Sequence, residues 1–127
     1  MFNIVFYENK NGVSELWDFI EDLRVKSEKD KSARIQYRQI RLYIQLLAEN
    51  GTRINANVTK YIGDDIWELR PGDNRIFNFC FPGKTIVLLH CFRKKSRKTP
   101  TAEIEKAKAA RNDFLVRYGG LKDEDLE

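Results

Sequence analysis

Hydrophobic positions change their period midway along the chain: between residues 16 and 47 they recur three and four apart, and from residue 58 they alternate. Residues 2–7, Phe-Asn-Ile-Val-Phe-Tyr, are aromatic and β-branched enough for a first strand, which Glu8-Asn9-Lys10-Asn11-Gly12 closes as a turn. Ser14 stands where a helix N-cap belongs, and Leu16, Phe19, Ile20 and Leu23 then share one helical face. A charged linker over residues 26–31 leads into a longer helix over 32–50, with Tyr37, Ile40, Ile44 and Leu47 in register and Gly51 as its stop.

The second half predicts strands over 58–62, 66–70, 75–81 and 85–92, separated by Gly63-Asp64-Asp65, Pro71-Gly72-Asp73-Asn74 and Pro82-Gly83-Lys84. Connections this short force antiparallel neighbours. Beyond a basic run, Thr99 is placed to cap a last helix that Pro100 starts, with Ile104, Ala107, Phe114 and Leu115 facing the sheet and Gly119-Gly120 ending it. The class is therefore α+β, as one domain over residues 1–121 followed by an acidic tail, 122–127, expected to be disordered.

A four-residue loop makes Arg70 and Arg75 opposite partners across a hairpin, on one sheet face with Glu68 and its partner Phe77. Trp67, Leu69, Ile76 and Cys80 fall on the other face and read as core. The next hairpin leaves two registers open: a two-residue turn at Pro82-Gly83 puts His90 beside Arg75, and a three-residue loop puts Cys91 there. Either way the last strand ends near the arginines and releases Arg93, Lys94, Lys95, Arg97 and Lys98. Cations from several segments, with Phe77, Phe79 and Phe92 as neighbouring rings, match the needs of a single-stranded RNA site. The same residues also fit blander roles, Arg70 and Arg75 as an exposed pair moderated by Glu68 or Asp73 and His90 as a packed strand residue.

Charge strengthens the first reading. The chain carries 23 basic and 19 acidic side chains, but the tail holds four of the acids, so residues 1–121 have a net charge of +7. A body this basic favours an anionic partner. No apolar stretch approaches the roughly 18 residues of a membrane span, and the N-terminus lacks a signal peptide's basic start and small-residue cleavage site, which points to the cytoplasm. Cys80 and Cys91 read as buried, reduced core residues. No acids or histidines cluster at ligand spacing, so neither a metal nor another cofactor is expected.

The stretch Ile66-Trp67-Glu68-Leu69-Arg70, then Arg75-Ile76-Phe77, then Leu88-Leu89-His90-Cys91-Phe92-Arg93-Lys94-Lys95-Ser96-Arg97-Lys98-Thr99-Pro100, then Glu103-Ile104 and Ala107, resembles the phage-derived HigB-like toxins of the RelE superfamily. The likeness spans about residues 58–115. It implies a RelE-like fold, a small antiparallel sheet with two N-terminal helices packed on it and a C-terminal helix. It also implies the toxin of a type II toxin–antitoxin pair, a ribosome-dependent, metal-independent mRNA endoribonuclease held by a HigA-like helix-turn-helix antitoxin in a hetero-oligomer.

On that resemblance Arg75 matches the arginine that holds the scissile phosphate, Arg70 a neighbouring basic position, and Lys94 or Lys95 a further cation; Lys95, Arg93, Lys98, Arg97 and Phe77 would bind RNA. RelE itself has lysines where Ile66 and Glu68 stand, and a C-terminal tyrosine without a counterpart here, which leaves Glu68, His90 and Lys94 as candidates for proton transfer. The related ParE toxins share the fold and inhibit DNA gyrase without catalysis, which is the alternative reading. A plain nucleic-acid-binding accessory protein is the third.

Overall fold

The computed structural model describes residues 1–120, in which the chain runs β1 (Asn3–Phe6), α1 (Glu15–Lys26), α2 (Lys31–Asn50), β2 (Thr59–Gly63), β3 (Ile66–Leu69), β4 (Asn74–Phe81), β5 (Thr85–Arg93) and α3 (Thr101–Tyr118). The acidic tail expected at 122–127 lies outside the described residues. Local chemistry sets most boundaries. The Ser14 hydroxyl accepts from the Trp17 amide at 3.1 Å and starts α1, and the Asp30 carboxylate does the same for Ala33 at the start of α2. Gly51 ends α2 with φ +64°, where a Cβ would also lie 2.8 Å from the Phe2 ring. Pro100, and not Thr99, occupies the cap position of α3, and it supplies no side-chain hydrogen bond.

The sheet order is β1-β5-β4-β3-β2. Strands β2 to β5 form the expected antiparallel meander, whereas β1 joins β5 in parallel, so the sheet is mixed. No hairpin links β1 to its neighbour, and its direction is free of the short-loop constraint. On one face α1 and α2 bury Leu16, Ile20, Leu23, Ile40 and Leu47 against Leu69, Ile76, Ile86 and Leu88. On the other, Ala107 and Phe114 of α3 pack over Ile66, Phe77, Phe79, Val87 and Leu89. This α+β architecture is compatible with a RelE-like fold.

Two residues assigned to the core depart from it. Trp67 is half-buried, its ring 5.2 Å from that of exposed Tyr61, and Cys80 is exposed. The helical layer covers the β1–β5 side of that end of the sheet through Ile4 and Ile86, and Cys80 lies one strand beyond its cover. Cys91 is half-buried against the α1–α2 core.

The β4–β5 hairpin corrects both registers considered for it. Phe81 pairs with Thr85 across a three-residue loop, and a bulge between Phe77 and Asn78 then leaves Leu89 without a partner. From there Phe77 pairs with His90 and Arg75 with Phe92. The extra residue turns both Leu89 and His90 toward α3 and sends Cys91 to the α1–α2 face.

Candidate functional site

Glu68 on β3 is the centre of a small charged assembly. Its side chain is only 2% exposed; Oε1 lies 3.3 Å from Nε of Arg70 and 3.9 Å from Nε of Arg75, and Oε2 accepts from the Thr99 hydroxyl at 3.1 Å. A carboxylate removed from water is tolerable only with such partners. The register Glu68 to Phe77 and Leu69 to Ile76 brings both arginines to the Glu68 end of one face, as their spacing predicts.

Arg75 is no simple surface cation. It is 6% exposed, and Nη1 donates to the carbonyls of Gly72 at 2.7 Å and Asn74 at 2.9 Å, so it braces the β3–β4 turn. Burial, and then the charge of Arg70, lower its pKa, with Glu68 and Asp73 opposing. Arg70 donates to the Ala56 carbonyl at 3.1 Å.

The chain leaving β5 folds over this assembly. The Lys94 amide donates to the Asp73 carbonyl at 2.7 Å, and Ser96 Oγ donates to the Lys98 carbonyl at 3.1 Å. A pocket results, lined by Glu68, Arg70, Arg75, Phe92 and residues 94–100. Six cationic residues, Arg70, Arg75, Lys94, Lys95, Arg97 and Lys98, thus line one pocket with the single carboxylate of Glu68, whose near cationic partners are Arg70 and Arg75. Both lysines of the pair line the pocket because the chain turns after Arg93 and does not continue as a strand.

Other expected site residues lie elsewhere. Arg93 turns to the opposite face, where it donates to Gln36 Oε1 at 3.1 Å and lies 3.9 Å from Asp73. Phe77 is fully buried and Phe79 nearly so, and no base can stack on either while α3 is in place. Phe92, half-buried, is the ring that reaches the pocket. Thr99, read from sequence as a helix cap and as part of the stretch that carries the resemblance but not as a site residue, joins the site through Glu68.

His90 does not line this pocket. It is 3% exposed, with Nε2 3.6 Å from Glu103 and its ring beside Phe77, and it lines a separate cavity with Glu15 and Lys106. Burial first, and Lys106 second, push its pKa below the ordinary 6.5, while Glu103 and Glu15 oppose. The unfolded chain therefore takes up this proton more readily, so stability present above the unfolded value is lost as pH falls below it. His90→Gln is expected to flatten the loss of stability between pH 7 and pH 5, measured by urea unfolding, and to retain whatever activity the pocket has. An unchanged pH slope would contradict this role for the burial of His90.

Among the described residues no group of three or more His, Cys, Asp or Glu side chains is disposed to hold a metal ion, and no helix is long and apolar enough to cross a membrane. Residues 28–112 match the family model described as phage derived protein Gp49-like (DUF891). The match contains α2, all of β2 to β5 and most of α3, and with them every residue of the pocket. No curated protein matches the sequence.

Proposed function

The chain belongs to the Gp49-like family of phage-derived proteins, and from that premise we propose that it is the toxin of a type II toxin–antitoxin pair, an endoribonuclease that cuts mRNA on the ribosome. The observation that carries this reading is the pocket itself, lined by six cationic residues, one half-buried aromatic ring and one carboxylate already held by Arg70, Arg75 and Thr99. Cations suit the phosphodiester and the ring suits a base.

In the proposed reaction the ribose 2′-hydroxyl attacks the adjacent phosphorus, the P–O5′ bond breaks, and the products carry a 2′,3′-cyclic phosphate and a 5′-hydroxyl. Negative charge builds on the phosphoryl oxygens, and fixed guanidinium groups beside them lower the barrier most. Arg75, braced by two backbone carbonyls, and Arg70 supply that charge without a metal ion. Lys95, Arg97 and Lys98 hold the flanking phosphates. Glu68 is already held through both oxygens and His90 lies outside the pocket, so Lys94 is the group proposed for proton transfer. As the neutral amine it takes the 2′-hydroxyl proton and delivers it to O5′ as the P–O5′ bond breaks. The proposed partners are mRNA, the ribosome and a helix-turn-helix antitoxin of the HigA kind that forms a hetero-oligomer with the toxin, all in the cytoplasm.

The test is a brief induction followed by mapping of mRNA 5′ ends across the transcriptome. New internal 5′-hydroxyl ends within translated regions, with prompt loss of protein synthesis, are expected. A DNA-damage response with intact transcripts would favour gyrase inhibition instead.

A further inference from the structure

The loop over residues 94–99 carries Lys94, Lys95, Arg97 and Lys98 beside Arg70 and Arg75. Like charges this close repel one another, and an unattached loop would spread into solvent. Two hydrogen bonds attach it to the β3–β4 hairpin. At its entry the Lys94 amide donates to the Asp73 carbonyl, at 2.7 Å; at its exit the Thr99 hydroxyl donates to Glu68, at 3.1 Å. The Ser96 bond to Lys98 stays within the loop.

Capping of α3 does not account for Thr99. The cap position belongs to Pro100, and the Thr99 hydroxyl is directed to a residue 31 positions away. Its acceptor is a carboxylate whose other oxygen faces two guanidinium groups, so one group ties the loop and both arginines together. A hydrogen bond to a charged, buried acceptor is among the stronger kinds.

We propose that Thr99 is a positioning residue for RNA cleavage, its hydroxyl latching the basic loop to Glu68 so that the loop cations and Arg75 converge on one phosphate. The proposal rests on the cleavage reading given above. RNA is drawn to the site by long-range attraction, which an open loop retains; alignment at the scissile phosphate is what the latch supplies. Loss of the latch therefore acts on kcat and leaves KM nearly unchanged.

Thr99→Val removes the hydroxyl and keeps the shape, Thr99→Ala removes it with no steric conflict, and Thr99→Ser retains it. Two readouts separate the latch from its consequence: the rate of limited trypsin cutting within residues 93–98, and steady-state cleavage of a defined mRNA on purified ribosomes. The valine and alanine variants are expected to be cut by trypsin roughly tenfold to a hundredfold faster, with kcat reduced by a similar factor. The serine variant is expected to restore both. Trypsin resistance equal to wild type overturns the latch, whatever the site does. A loosened loop with unchanged kcat, or a serine variant that fails to restore activity, overturns the positioning role. Wild-type protein that cuts no RNA overturns the cleavage reading and the positioning role with it, a result distinct from intact trypsin resistance.

Discussion

Arg75→Ala is expected to lower the rate of RNA cleavage by roughly a hundred- to a thousandfold, the effect of removing about 2.7–4 kcal/mol of charge stabilisation from a transition state. The same substitution frees the Gly72 and Asn74 carbonyls that Arg75 braces, at a cost of about 1–3 kcal/mol in stability. Activity must therefore be compared at equal folded fraction, with thermal unfolding run alongside. Arg75→Lys separates the two effects. Its single ammonium keeps the charge but cannot reproduce a guanidinium that bonds the turn and faces a phosphate together, so a rate between wild type and alanine is expected. A folded Arg75→Ala protein that cuts at the wild-type rate would place the site elsewhere.

Glu68→Leu is expected to be the most destabilising single change in the site, on the order of 3–5 kcal/mol, because it leaves buried charge without its counterpart. Arg75, already unfavourably placed by burial and by Arg70, loses the nearest carboxylate that opposes both, and the Thr99 hydroxyl loses its acceptor. Urea denaturation measures the loss directly, and a leucine variant as stable as wild type would show that the carboxylate is no structural counter-ion. Glu68→Gln keeps the shape and an acceptor for Thr99, and it distinguishes an organising role from proton transfer. As an organiser, Glu68 tolerates glutamine with a modest loss of rate. A folded glutamine variant slower by more than roughly a hundredfold would make Glu68 the general base.

Features set by local chemistry were legible in the sequence. Ser14 and Gly51 bound helices where expected, and the β2–β3 turn falls at Asp64-Asp65, both with positive φ, next to Gly63. The convergence of Arg70, Arg75, Glu68 and the basic loop also followed from local facts, since loop lengths set the hairpins and strand ends set where the loop emerges. What was missed depends on packing between distant segments. The bulge at Leu89 lies in the run Leu88-Leu89-His90-Cys91, which has no strict alternation for an extra residue to interrupt. The seat of α3 decides that Phe77 and His90 are covered, and the spread of α1 and α2 decides that Cys80 is not. The burial of Arg75 and the turn of Thr99 toward Glu68 required the loop and sheet together.

The central claim is that this pocket directs a 2′-hydroxyl against its neighbouring phosphate. Purified ribosomes programmed with two versions of one defined mRNA test it, one all-ribose and the other with a single 2′-deoxynucleotide on the 5′ side of the scissile bond. The account predicts that wild-type protein cuts the all-ribose message to give a 2′,3′-cyclic phosphate and a 5′-hydroxyl, and leaves the substituted bond intact. Equal cutting of both messages, or products that carry a 5′-phosphate, would contradict it.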